Sequence, residues 1–184
     1  MTRAGWLDEH EELMWRAFGD MRHRLDAAVE RRLGEVNLSA ADFELLLPLM
    51  EAPEWRLRAR ELRLKIDWGR SRLSHQIGRM EKRGLLVRED CPGDARGTII
   101  RLTQEGADAL ESAVPGYVDT IRRLFIDLLT PEETLILTSL SHRVLGRIAG
   151  EELGPGKSVY VTTIDHSGAA ADGRARPERL LDSD

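Results

Sequence analysis

The 184-residue sequence has little of what disulfide-bonded, metal-binding or membrane-spanning proteins need. Its single cysteine, Cys91, excludes an internal disulfide and any site built from several cysteines. It has no run of about 18 apolar residues that could form a membrane span, and its N-terminus has no signal-peptide apolar stretch. We therefore expect a cytoplasmic protein that does not associate with membranes.

Catalytic signatures are also missing. Neither a Gly-x-Ser-x-Gly elbow nor a His-Glu-x-x-His helix occurs, and the segment from Gly150 to Ser158 has the wrong glycine spacing for a phosphate loop. The five histidines show no tight ligand spacing. We expect neither an enzyme nor a cofactor or metal site. With 41% hydrophobic, 32% charged and only 5% aromatic residues, the composition favours a helical globular protein.

The charge is strongly segregated along the chain. The net charge is −5, yet residues 56–101 hold thirteen Lys or Arg against six Asp or Glu, a local charge of +7, while the remainder carries −12. Such a distribution steers one face of a protein toward a polyanion and keeps the rest solvated. It indicates a nucleic-acid partner despite the acidic total.

The most informative segment within this basic stretch runs from Trp68 to Leu102. Leu73, Ile77 and Met80 follow helical spacing and predict one buried stripe, with Gly69 as N-cap and a stop at Gly84. Hydroxyl and basic side chains gather on the opposite face: Ser71, His75, Arg79 and Lys82, flanked by Arg72 and Ser74. Two short strands, 85–89 and 98–102, enclose a Pro-Gly loop. A basic helix followed by a hairpin suits a DNA major groove and its flank.

The remaining periodic segments predict flanking helices. We expect a long helix at 7–34, a helix beginning at the N-cap Ser39 with Asp42 at N3, a short helix at 57–66, a helix from Thr103 interrupted at Pro115-Gly116, and a last helix from Thr130-Pro131. Helix-turn-helix followed by a hairpin is a winged helix, so the predicted fold is mainly α with a small β-hairpin wing.

Three regions follow from this reading. Residues 39–102 form the winged helix-turn-helix DNA-binding domain, residues 7–36 and 103–152 a helical dimerisation region, and 153–184 a disordered tail rich in Gly, Ala, Ser, Asp and Arg. The terminal helices carry more apolar surface than a small winged helix can cover, which favours a homodimer. Double-stranded DNA is the expected partner.

With these residues in view, the chain resembles the multiple antibiotic resistance regulator (MarR) family of transcription factors over residues 7–150. The resemblance is strongest from Ser71 to Leu85, in the Asp94-Ala95-Arg96-Gly97 wing signature and in Leu102-Thr103-x-x-Gly106. It implies a homodimeric repressor that binds a palindromic operator and is released by a small phenolic or other aromatic ligand. Asp67 departs from the family, where a glycine is usual, and so does the long tail.

The resemblance also assigns residues. It implies that Arg96 reaches the minor groove and that Asp94 shapes the wing. The residues expected to face bases and phosphates are Arg70, Ser71, Arg72, Ser74, His75 and Arg79. Arg88 joins them as a strand cation that contacts the DNA backbone or remains solvated. Family geometry places a ligand pocket near Trp15, Phe18, Arg22 and Phe43, which are otherwise core residues.

Two alternative functions remain open at this point. An oxidant sensor would use Cys91, a loop thiol beside the positive charges of Arg88 and Arg96, although the negative charges of Asp90 and Asp94 oppose its activation. A winged-helix protein-interaction module without DNA binding would instead require a neutral or acidic reading face, and this face is basic.

Overall fold

The helical segments predicted from periodicity are present in the protein, whose fold is given by a computed structural model that describes residues 6–91 and 94–153, without the side chains of residues 94–96 and 151–153. The helices are α1 (Glu9–Gly34), α2 (Ala40–Met50), α3 (Ala59–Lys65), α4 (Arg70–Lys82), α5 (Gln104–Leu124) and α6 (Pro131–Leu153). The strands are β1 (Arg56–Arg58), β2 (Leu86–Cys91) and β3 (Asp94–Leu102), and short 3-10 turns occupy Pro53–Trp55 and Ile126–Leu128. The segment 154–184, predicted to be disordered, lies outside the described residues.

The small sheet is antiparallel with strand order β1-β3-β2. Leu57 of β1 pairs with Ile100 of β3, and Leu86 of β2 pairs with Leu102. The predicted start of the helix at residue 57 was therefore wrong. Leu57 pairs with β3 in the sheet, and α3 begins at Ala59. The wing is part of a three-stranded sheet, and the predicted class, mainly α with a small β wing, is confirmed.

The core lies between the sheet and the helices that surround it. Its fully buried side chains come from α1, α2, α3, α4, α5 and the strands: Leu33, Leu45, Leu46, Leu49, Leu62, Met80, Leu86, Ile100, Leu102 and Leu110. Burying each of these aliphatic side chains contributes about 1.5–3 kcal/mol. The core thus fixes one face of α4 and leaves its other face to solvent.

The expected interruption at Pro115-Gly116 does not occur, because α5 runs without a break from Gln104 to Leu124. Pro115 is exposed, so a backbone carbonyl deprived of its usual donor at this position can be hydrated. Gly116 is buried where α5 meets Arg32 of α1. Its missing side chain leaves room for the guanidinium of Arg32.

The chain divides into two compact units after Leu145. The first unit contains α1 to α5, the sheet and the beginning of α6, and the described part of the second unit, from Gly146, is the end of that helix. No helix in the described ranges is both long and apolar enough to cross a membrane.

Candidate nucleic-acid interface

Helix α4 has one buried and one exposed face, as its spacing predicted. Leu73, Ile77 and Met80 are buried in the core. The opposite face is exposed and carries Arg70, Ser71, Arg72, Ser74, His75 and Arg79, the residues predicted to meet DNA. These side chains can donate hydrogen bonds to phosphate and to base edges, which is the chemistry that groove binding needs.

The start of α4 is also open to an anion. Gly69 is the N-cap, as predicted, and it offers no side-chain cap to the first turn, which holds no acidic residue. The N–H groups at a helix start carry a partial positive charge and bind phosphate well. Asp67, two residues earlier, adopts a left-handed conformation with φ of 49° and places a carboxylate near this end.

Trp68 holds Arg72 on the exposed face of α4. The guanidinium carbon of Arg72 lies 3.7 Å from the centre of the Trp68 ring. The indole N–H of Trp68 donates to Oε1 of Glu44 at 2.9 Å, and the ring itself is buried. A cation over an indole face is attracted by the ring quadrupole, so Arg72 has a preferred position before any DNA arrives.

A basic cleft lies beside α4, between α3 and the sheet, with a volume of about 670 Å³. Its floor is apolar, from Leu73, Ile77 and Ile100, and none of the described residues that line it is acidic. Five arginines line it as well: Arg58, Arg60, Arg63, Arg70 and Arg88. We name this site the arginine cleft. Three of the five, Arg58, Arg60 and Arg63, were not among the predicted contacts, although they lie in the basic stretch that the charge count had marked.

Arg88 connects the wing to α4. Its Nη1 donates to Oε2 of Glu81 at 2.6 Å, and its Nη2 donates to the backbone oxygen of Ser74 at 3.2 Å. No carboxylate in the described residues pairs in this way with Arg70, Arg72 or Arg79. The charge of Arg88 is thus partly neutralised within the protein, whereas those three cations remain available to an external anion.

The wing is formed by β2 and β3, with an irregular register between Asp90 and Cys91. Asp94 and Arg96 lie in β3 near this tip, but their side chains are outside the described part, so their predicted roles stay predictions. Arg101 of β3 donates to Glu89 of β2 at 2.5 Å and so connects the two strands.

Cys91 was placed in a loop by the sequence, and this placement was wrong. It is the last residue of β2 and is buried. The strand extends beyond the predicted end at Glu89 because Asp90 and Cys91 still pair with β3. Burial restricts the access that oxidant-sensing thiols require.

The residues predicted to form a ligand pocket are divided between exposed positions on α1 and a buried position on α2. Trp15 and Phe18 are exposed on α1 with ring centres 6.0 Å apart. Phe43 is buried and stacks on Tyr117 at 4.4 Å between ring centres. Neither the arginine cleft nor the apolar hollow beside Met21 and Phe125 includes Trp15, Phe18, Arg22 or Phe43. The ligand pocket stays a prediction.

Asp42 is a buried carboxylate on α2 that contacts α4 through Gln76. Burial alone would raise its pKa, but hydrogen bonds from the Ser39 backbone N–H, the Arg83 guanidinium and the Ser39 hydroxyl outweigh that effect and lower the pKa. Its role at N3 of α2 was predicted, and the capping box with Ser39 is present. Its contacts with α4, through Gln76 and Arg83, were missed because no local spacing signals them.

Comparison with known proteins agrees with this geometry. A model of the MarR family matches residues 36–97, which span α2 to the wing. AbsC, a MarR family regulator of Streptomyces coelicolor, is 35% identical, with a TM-score of 0.76, over 81% of this chain and 99% of that one. The chain belongs to the MarR family. The predicted resemblance is therefore confirmed.

Two further relatives support the assignment. Sco3205 of Streptomyces coelicolor, solved in complex with DNA, is 38% identical over 83% of this chain and 94% of that one, with a TM-score of 0.74. An HTH-type transcriptional regulator of Bacillus cereus is 32% identical over 61% of this chain and 73% of the relative. MarR family proteins are DNA-binding transcriptional regulators and not enzymes, and this chain is one of them.

Proposed function

We propose that this MarR family protein is a homodimeric repressor that binds a two-fold symmetric operator. The observation that carries the proposal is the exposed cationic face of α4, which continues into the arginine cleft. In this arrangement α4 enters the major groove, and Arg70, Arg72 and Arg79 approach phosphates and base edges. The uncapped first turn receives a phosphate, and the arginine cleft borders the backbone beside it.

Exposed apolar side chains support the homodimer. They lie on α1, on the 3-10 turn at 126–128 and on α6, and include Leu13, Met14, Leu128, Leu135 and Ile136, all more than half exposed. Large apolar side chains exposed in such number favour an interaction site. A second copy that pairs these helices would place two α4 helices on one face of DNA, about one helical turn apart.

The family resemblance further implies release from DNA by a small aromatic ligand, which we include in the proposal. The stacked, exposed rings of Trp15 and Phe18 offer an aromatic surface on α1 for such a compound. A phenolic ligand that acts this way should raise the melting temperature of the free protein and lower its operator affinity. A compound that raises melting without changing affinity is not an effector.

Selection of bound duplexes from random DNA tests the proposal. The expected product is a two-fold symmetric site, bound by a species that sediments as a dimer, with an affinity that falls steeply as salt rises. Arg70→Ala should weaken binding, whereas Arg123→Ala, which removes an exposed cation from α5, should change it little. A monomer that retains no duplex even at low salt would overturn the proposal.

A further inference from the structure

A chain of hydrogen bonds runs from the buried end of α2 to the exposed face of α4. Asp42 and Gln76 are both almost completely buried, at 2% and 3% exposure, and are two of the three buried polar or charged residues in the described ranges. Arg79 lies one turn after Gln76 on α4 and is exposed. These hydrogen bonds therefore connect the core to Arg79, which we expect to contact DNA.

The direction of the hydrogen bonds follows from the donors available. An ionised carboxylate only accepts, whereas a glutamine amide both donates and accepts. Gln76 donates from Nε2 to Oδ1 of Asp42 at 2.6 Å. Its carbonyl oxygen therefore points the other way and accepts a hydrogen bond from Nη2 of Arg79. With the amide reversed, Gln76 would present N–H groups to a guanidinium that can only donate.

Asp42 is held too firmly to follow a movement of Gln76. Its Oδ2 accepts from the Ser39 backbone N–H at 2.9 Å, from the Ser39 hydroxyl at 2.8 Å and from Nη1 of Arg83 at 2.7 Å. Arg83 also donates to the backbone oxygen of Asn37. Because each oxygen of Asp42 has a partner, the carboxylate acts as a fixed reference for the amide of Gln76.

We propose that Asp42 and Gln76 are positioning residues that set the direction of the Arg79 guanidinium and thereby the base preference that Arg79 imposes. The proposal rests on the proposed function, because it assumes that α4 reads DNA. A guanidinium oriented in advance loses less freedom on binding a base edge, so affinity and discrimination both rise. Arg72 serves as the comparison, because it is held by Trp68 and not by the hydrogen bonds through Asp42 and Gln76.

A double-mutant cycle on the selected operator tests the coupling. Gln76→Met keeps the length and burial of the side chain but removes both hydrogen bonds. We expect it to weaken operator binding about tenfold and to relax the same base positions that Arg79→Ala relaxes. In an Arg79→Ala background most of that loss should disappear, whereas in an Arg72→Ala background it should persist in full.

A second variant protects the test against a loss of folding. Asp42→Asn is nearly isosteric and lets the residue at 42 donate to Gln76, which permits the reversed amide. Its effect on base preference should likewise vanish when Arg79 is absent, with circular dichroism confirming that each variant is folded. Equal losses in the Arg79→Ala and Arg72→Ala backgrounds would overturn the positioning role. Failure of the wild-type protein to bind any duplex would instead overturn the proposed function.

Discussion

The guanidinium carbon of Arg72 lies over the indole of Trp68, 3.7 Å from the ring centre, and the indole N–H donates a hydrogen bond to Glu44. A buried ring thus orients a cation on the exposed face of α4. The contact joins residues four positions apart, from the residue before the N-cap Gly69 to the first turn of α4.

Replacement of Trp68 by leucine should therefore weaken operator binding by about two- to fivefold, which corresponds to the free energy of an exposed cation–π contact, about 0.5–1 kcal/mol. The physical reason is that Arg72 loses its preferred position before binding. Fluorescence anisotropy with the selected operator measures the change. In an Arg72→Ala background the same replacement should have little further effect on affinity, and a full additional loss would contradict this account.

Asp67 adopts a left-handed conformation that glycine adopts more easily. Its φ is 49°, and it follows the C-cap Ile66 of α3, while the Trp68 N–H donates back to the Arg63 backbone oxygen at 3.2 Å. Glycine is the usual residue at such a position. Asp67→Gly should raise the free energy of unfolding by about 0.5–1 kcal/mol, because relief of the left-handed strain exceeds the entropy cost of glycine. Thermal or urea unfolding measures it.

The charge of Asp67 can be separated from its backbone conformation. Asp67→Asn removes the carboxylate near the start of α4 but keeps a side chain, so it should leave unfolding nearly unchanged. Both Asp67→Asn and Asp67→Gly should strengthen DNA binding at low salt, since a repulsive charge next to phosphate is removed. A gain in affinity for glycine alone would show that the conformation matters and the charge does not.

The periodic features of α4 could be predicted because they depend on neighbours within the same helix. Leu73, Ile77 and Met80 had to share one face, and Gly69 had to precede the first turn. Strand β1 could not be predicted in this way. The segment Arg56-Leu57-Arg58 is too short to show alternation, and its partner β3 lies far along the chain. The same holds for Asp42 and Gln76, which meet only after α2 packs on α4.

Asp42 should make stability depend on pH. Its pKa is lowered from the ordinary value of 3.8, because hydrogen bonds from Ser39 and Arg83 outweigh the burial that raises it. A lowered folded-state pKa means that the stabilising contribution is complete above the unfolded value and is lost as pH falls through the folded one. The stability advantage of wild type over Asp42→Asn, about 1–3 kcal/mol for buried hydrogen bonds, should therefore shrink below about pH 4.

Urea unfolding of both proteins between pH 7 and pH 3 measures this difference. Above about pH 4 the two curves should run parallel, and below it the wild-type curve should fall toward that of the variant. A difference that stays constant down to pH 3 would mean that the ionisation of Asp42 does not contribute.

Gly106, in the first turn of α5, leaves no space for a side chain. A Cβ there would lie 2.7 Å from Cδ1 of Leu102 and 2.9 Å from the backbone carbonyl carbon of Leu85. The backbone of Leu85 cannot move aside as a flexible side chain can. Gly106→Ala should therefore destabilise the protein by about 1–3 kcal/mol. Gly116→Ala is the matched control: its Cβ would meet the guanidinium of Arg32, which can move, and alanine favours helix. Denaturation midpoints that rank the two variants in the opposite order would contradict the packing argument.

Arg96 and Arg88 should contribute to DNA binding in different ways, although both are wing arginines. Arg88 already pairs with Glu81 at 2.6 Å, so Arg88→Ala should act mainly by loosening the connection between β2 and α4. Arg96, near the tip of the wing, is predicted to reach the minor groove. Arg96→Ala should lower affinity for all duplexes and reduce the slope of log affinity against log salt by about one. Anisotropy titrations over a series of salt concentrations measure both slopes, and an unchanged slope for Arg96→Ala would exclude the wing tip from the interface.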